Sequence, residues 1–293
     1  MTRLAVAFVV AIIGSGASAR GCLLLEENSS SVVGMDGAAS TQLSDGQTLF
    51  AFGDTLFGAI DGEREITEMT DHTFAIVSDA QVGNCFPATE MLRDRVVRPA
   101  AWDERDRFWP GHGLHVGSSI VLFFVHARVT DPNDALGFEV RAAGVVRGRA
   151  DDPRFDLREA HYLSPGLLPA ALTVHEGAAY VYLCRPDVGF DCVLARAPLD
   201  SLSMPSRYIY YVANRGFSGT LEDASVVLRA SAEFSVSFNR RLGQFLVVDI
   251  APFAREISMR LGPAPEGPFS ARRPLIPCRL RPDEFCYGAK EHP

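Results

Sequence analysis

Two aspartates carry the most chemical information in this sequence. Asp36 and Asp54 stand symmetrically about Asp45, inside the turn signal Ser44-Asp45-Gly46. Residues paired across a hairpin keep a constant sum of their numbers. Asp36 and Asp54 are therefore expected to face each other on neighbouring strands, with Cβ atoms about 4.5–5.5 Å apart. Like charges that close destabilise a strand pair unless something compensates them. One of two adjacent carboxyls usually has a raised pKa, and a protonated acid beside an ionised base is what cleavage of a glycosidic bond requires. The structural alternative is plain: Asp54 in Gly53-Asp54-Thr55 holds a strand end, and Asp36 before Gly37 is a turn residue. Glu233, heading the alternating run Glu233–Phe238, is the best third carboxylate, with a solvated strand end as its alternative. Asp223 is a weaker candidate.

Trp109-Pro110-Gly111-His112-Gly113-Leu114-His115 is an aromatic, glycine-rich stretch. Trp109 suits stacking on the apolar face of a sugar ring, although core packing is the commoner fate of tryptophan. His112 and His115 lack the helical H-E-x-x-H arrangement of a zinc site and are read as hydrogen-bonding groups in a pocket, with no metal. No G-x-S-x-G elbow supports a serine nucleophile, no phosphate-binding glycine loop is present, and no cofactor is called for.

The elements that must position these residues are strands. Thr48–Asp54, Ser119–Val125, Ala178–Cys184, Phe234–Phe238, Gln244–Val248 and Ile257–Leu261 are short, rich in β-branched and aromatic residues, and bounded by turn formers. No long helical periodicity appears; residues 90–97 read as a short helix or as nothing regular. Turn glycines Gly46, Gly117, Gly177 and Gly243 precede aromatic strands at intervals of about 60–70 residues, the length of a four-stranded propeller blade with its loops. Four such units and a fragment predict an all-β, five-bladed β-propeller in one domain over residues 20–293. A β-sandwich is the rival. The terminal residues 286–293 show no strand signal, so the last blade is expected to be incomplete, the ring closing through the amino-terminal segment or not within this chain.

Arg3, the apolar run Leu4–Ile13 and the small residues Ala17-Ser18-Ala19 form a secretory signal over residues 1–19. The run is too short to span a bilayer, so the mature protein is expected to be secreted or periplasmic. Cys22 leaves lipoprotein processing as the alternative. The six cysteines point to disulfides in an exported chain, with Cys184–Cys192 and Cys278–Cys286 as the favoured pairs. A net charge of −8 argues against nucleic acid and anionic membrane as partners. A monomer is expected.

Three stretches, taken together, resemble a known family. They are Met35–Ser40 with Leu49–Thr55, Glu233–Asn239 with Leu242-Gly243, and Ile257–Arg260 with Pro265–Ser270. They resemble a bacterial family of five-bladed propellers long labelled a domain of unknown function, some members of which are endo-acting D-arabinanases of cell-wall arabinan. More broadly the chain looks like propeller glycosidases acting on furanosides. The resemblance implies that Asp36 and Asp54 are the catalytic carboxylates and that Glu233 fills a recurrent acidic position. Trp109, His112, His115 and Asn239 are the expected substrate-binding residues. Phe217 and Phe269 stand where such propellers often carry tryptophan. The implied partner is a polysaccharide or cell-wall glycan such as arabinan. A non-catalytic carbohydrate-binding propeller and a secreted interaction scaffold are the alternatives, since fold does not fix function.

Overall fold

The structure, a computed structural model, describes residues 31–43, 46–61, 63–78, 91–134, 137–186, 190–251, 254–278 and 286–292. The export signal, Cys22, Cys85, Ser44 and Asp45 lie outside the described residues.

The first unit comprises β1 (Val32–Met35), β2 (Ala39–Gln42), β3 (Gln47–Phe52), β4 (Thr55–Asp61), β5 (Glu63–Thr70) and β6 (Thr73–Ser78). They make two sheets, β2-β3-β6 and β1-β4-β5. One antiparallel ribbon runs through both: Met35 pairs with Thr55, Ala39 with Ala51 and Gln42 with Thr48. That is the register expected from symmetry about Asp45. The second unit has β7 (Val96–Val97), β8 (Asp106–Val116), β9 (Ser119–Val129), β10 (Phe138–Arg149), β11 (Phe155–Asp156) and β12 (His161–Tyr162). The third has β13 (Leu168–His175), β14 (Ala178–Arg185), β15 (Asp191–Pro198), β16 (Ile209–Val212), β17 (Gly216–Gly219) and β18 (Val226–Arg229). The fourth has β19 (Ser235–Asn239), β20 (Gln244–Asp249), β21 (Glu256–Gly262) and β22 (Arg273–Pro277). Residues 91–97 form no helix; their regular part is β7.

The continuous apolar runs are explained by burial on both faces. Leu49 and Ala51 of β3 pack with Phe108, Ile120, Leu122 and Phe124, while Phe50 and Phe52 point the other way, to Val32, Met35 and Phe57. On β9, Val121 and Phe123 leave that first cluster for a second, shared with Val181, Leu183 and Val193. On β14, Tyr180 and Tyr182 turn to a third, with Phe234 and Phe245, and β20 divides in the same way, Leu246 and Val248 facing Ile257 and Ala289. Each middle strand thus separates two cores, and the sheets stack face to face in chain order. This is the blade arrangement of a propeller, not the two facing layers of a sandwich.

The repeated glycines fall where each blade turns from its first strand to its second. Gly46, Gly117, Gly177 and Gly243 all have φ between +62° and +76°, a left-handed conformation that costs glycine little. The first strands β2, β8, β13 and β19 neighbour one another in sequence around the inside. Residues 286–292 lie between β19 and β2: the Glu291 amide donates to Ser235 Oγ at 2.7 Å, and His292 Nδ1 meets Ser40 Oγ at 2.9 Å. The first described strand does not supply a strand to the last sheet, because β1 pairs with β4.

Both expected local disulfides are present. Cys184–Cys192 joins directly paired residues of β14 and β15, and Cys278–Cys286 ties the end of β22 to the segment 286–292. Among the described residues no helix is long and apolar enough to cross a membrane.

Candidate active site

The ribbon of the first unit breaks at Asp36-Gly37-Ala38 on one side and at Gly53-Asp54 on the other. The Asp36 amide donates to the Asp54 carbonyl at 3.1 Å, but the Asp36 carbonyl accepts from Gly53 at 2.9 Å and from Ala38 at 3.1 Å. The ladder is interrupted here without a register shift, since Met35–Thr55 and Ala39–Ala51 on either side keep one register. Glycine makes the interruption feasible. Gly37 has φ +80°, and a Cβ on Gly53 would lie 2.1 Å from Asp36 Oδ1. Thr55 fixes the far side, its hydroxyl donating to the Gly53 carbonyl at 3.0 Å and lying 2.9 Å from Thr73 Oγ1.

The two expected aspartates therefore meet, and they differ in surroundings. Burial, then the charges of Asp54 and Glu233, push the Asp36 carboxyl well above the usual carboxylate range; Lys290 and a hydrogen bond from Tyr287 oppose this. Tyr287 Oη donates to Asp36 Oδ2 at 3.4 Å. Asp54 is also raised by burial, but the indole N–H of Trp109, at 3.0 Å from its Oδ1, and the nearby Arg107 favour its anion. Glu233 completes the carboxyl cluster. The fully buried Phe234, whose amide donates to the Ala170 carbonyl, places it just before β19, and it is ion-paired to Lys290.

Trp109 and His112 project from β8. Trp109 braces Asp54 and is held edge-on against Phe138, with ring centroids 4.8 Å apart. Pairing of β8 with β9 slips between Pro110 and Gly113, which rotates His112 toward β19, its Nε2 lying 2.8 Å from the Phe234 carbonyl oxygen. Burial and the charge of Lys290 lower His112 to about 4. His292 is lowered to about 3 by burial, Lys290 and His112. Both rings are neutral at neutral pH.

The structure does not bring His115 or Asn239 to this cluster. His115 pairs with Ile120 beside the β8–β9 turn, six residues from Trp109 and roughly 20 Å along the strand. Asn239 ends β19, where its Oδ1 accepts from the Leu242 amide at 3.0 Å and closes a turn. Asp223 lies at the surface near Thr220 and Arg215. Phe217 packs edge-on against Tyr180 and Tyr211, and Phe269 fills the space beside Gly262.

Several contributors carried no sequence signal. Asp71 takes two contacts of 2.6 Å from Arg98, one of 2.8 Å from His72 Nδ1 and one of 2.7 Å from the Phe108 amide, tying the start of β6 to β8 beside the site. Burial raises its pKa, but these donors outweigh burial and lower it overall. Tyr287 and Lys290 arrive from the far end of the chain. Among the described residues no group of His, Cys, Asp and Glu is arranged to hold a metal ion.

Residues 25–293 match the model of a domain of unknown function, DUF5005. The chain belongs to the DUF5005 family. No curated protein sequence matches it. Among solved structures, a Bacteroides ovatus ATCC 8483 protein, a hydrolase by provisional name, aligns with a TM-score of 0.62 at 17% identity, over 90% of this chain and 75% of the other. An exo-β-1,3-galactanase from Phanerochaete chrysosporium, solved with β-1,3-galactotriose, aligns with a TM-score of 0.52 at 9% identity, over 92% of this chain and 53% of the other. This DUF5005 chain thus spans about half the length of that galactanase. At these identities what is shared is the fold, and it is a fold found in a glycoside hydrolase.

Proposed function

We propose that this DUF5005 protein is an exported glycoside hydrolase acting on a furanoside polysaccharide such as arabinan, with Asp36 and Asp54 as its catalytic pair. The observation that carries the reading is that the ribbon break brings two carboxyl residues together in unequal surroundings: the Asp36 amide bonds the Asp54 carbonyl at 3.1 Å, and only Asp54 accepts the Trp109 N–H, at 3.0 Å. Asp36, deep among other anions, keeps its proton and serves as general acid to the leaving oxygen. Asp54, with the Trp109 N–H and Arg107 beside it, is the anion that acts as base or nucleophile. Two adjacent carboxyls with pKa values pushed apart are the requirement for this chemistry. Glu233, ion-paired with Lys290, is close enough to Asp36 for its charge to favour the protonated acid.

The five-bladed count belongs to the same proposal: four sheets contribute inner strands β2, β8, β13 and β19, and residues 286–292 occupy the inner position of the fifth. Export through residues 1–19, a single domain over residues 20–293, a monomeric state and an arabinan of the cell-wall type are likewise proposed. The Cys184–Cys192 and Cys278–Cys286 disulfides support an oxidising compartment.

The test is oligosaccharide release from arabinans by the wild type and by Asp36→Asn and Asp54→Asn. Each variant should lose at least about 10²-fold in kcat. Asp36→Asn should recover much of that on aryl furanosides whose leaving group needs no proton, whereas Asp54→Asn should not. Full activity in both variants refutes the pair. Glycan binding by a wild type that releases no product shifts the reading to a carbohydrate-binding propeller.

A further inference from the structure

The chain has 28 basic residues, and Lys290 is its one lysine. Its side chain is 3% exposed, in the middle of the carboxyl cluster. The ammonium group has three acceptors for its three protons: the Gly37 carbonyl at 2.6 Å, the Glu233 carboxylate, and the Gly288 carbonyl at 3.4 Å. Gly37 follows Asp36 directly and carries the positive φ of the ribbon break. One cation therefore holds the backbone that aims Asp36 and the side chain of Glu233, residues from the first and the last described units of the fold.

The residue type fits the task. An ammonium is a compact charge whose three donors spread tetrahedrally, whereas guanidinium donors lie in one plane as a fork. Three acceptors reached from three directions suit lysine and not arginine, in a chain that otherwise uses arginine throughout. The segment carrying Lys290 is anchored on both sides. Cys286 is bonded to Cys278, Glu291 is bonded to Ser235 and Ser237, and His292 meets Ser40 and the Phe50 ring.

We infer that Lys290 is a positioning residue, its ammonium group coupling Glu233 to the Asp36–Gly37 backbone so that the carboxyl cluster is complete only with segment 286–292 in place. This rests on the proposed hydrolase reading for its catalytic meaning, but not for its geometry. Removing the cation also removes the principal charge that counteracts the rise of Asp36.

The experiment has an arm independent of activity. A protein with one lysine gives one side-chain ammonium signal in ¹⁵N NMR, without assignment ambiguity. That signal should be protected from exchange in the wild type and should lose protection in Glu233→Gln. In ¹³C-carboxyl titrations, Lys290→Met should move the Asp36 midpoint upward by about one unit or more. Lys290→Arg should move it less, since the charge remains. In turnover, both variants should fall about tenfold or more, with the alkaline pH limb, which follows loss of the Asp36 proton, displaced upward in Lys290→Met and less in Lys290→Arg. A freely exchanging ammonium signal unaffected by Glu233→Gln overturns the inference without any variant of Lys290 having to fold. So does an unmoved Asp36 titration in Lys290→Met, or wild-type turnover in Lys290→Arg. If the wild type cleaves no polysaccharide, the hydrolase reading fails while the NMR arm still decides the role of Lys290.

Discussion

Replacing Trp109 by phenylalanine isolates one interaction at the proposed base. The indole N–H donates to Asp54 Oδ1 at 3.0 Å, and the ring otherwise meets Phe138 edge-on. Phenylalanine retains aromatic bulk against Phe138 and removes the donor. Hydrogen bonds to charged groups contribute about 1.5–3 kcal/mol, and one pKa unit corresponds to about 1.4 kcal/mol. The Asp54 midpoint should therefore rise by about 1–2 units, because only the anion accepts this bond fully. If Asp54 acts as an anion, the acidic limb of kcat/KM against pH moves upward by the same amount, while the rate on the plateau changes less. Stability supplies a second reading. The loss in Trp109→Phe should be larger at neutral pH, where the Asp54 anion is left without its donor, and smaller at a pH low enough to protonate Asp54 in both proteins. Urea unfolding at several pH values measures this directly. An acidic limb that stays in place, together with a stability loss independent of pH, refutes the claim that Trp109 tunes Asp54.

Gly53→Ala introduces no chemistry but sets a Cβ 2.1 Å from Asp36 Oδ1; it should cost about 1–3 kcal/mol of stability and reduce turnover about as much as Asp36→Asn, and thermal melting plus polysaccharide assays would expose a mistake if the variant behaves as wild type. The buried histidines bear on acid stability. His112 is lowered to about 4 and His292 to about 3, against about 6.5 in an unfolded chain, so the unfolded state binds their protons first and stability should fall as pH drops from about 6.5 toward 4. Asp36, whose folded pKa is raised, contributes with the opposite sign, its share being full below about 3.9 and lost as pH climbs toward its folded value. The difference in urea midpoint between wild type and His112→Gln isolates the histidine, and equal pH slopes for the two proteins would count against its buried neutral state.

What could be read in the sequence was local. The Asp36–Asp54 juxtaposition follows from one turn and a constant register, both contained within a span of about twenty residues. The turn glycines identified the blades because each needs a left-handed residue at the same place in its first hairpin. Cys184 and Cys192 were legible as a pair because the strands that carry them form one hairpin. His115 shows the limit of that reasoning. Proximity in the chain groups it with His112, but the slip in β8 turns His112 toward β19, and a slip is not encoded in residue type. Asn239 lies in a stretch that carries the family resemblance, yet it ends β19, where its amide side chain serves the turn.

The missing parts of the site share one property: they are brought in over separations that no local pattern can express. Tyr287 reaches Asp36 across 251 residues, and Lys290 reaches Gly37 across 253. A sequence window around residue 290 shows only a short polar stretch. The information resides in the tertiary fold, which puts residues 286–292 between β19 and β2, and in the Cys278–Cys286 bond, which fixes where that segment starts. A single lysine in an arginine-rich chain reads as compositional bias, and it becomes meaningful only when three acceptors converge on it. If this is the logic of the site, the carboxyls are not merely placed by the first hairpin. They are placed also by the contacts of residues 286–292 with β19 and β2, and loosening that segment should disturb Asp36 before it disturbs any sheet.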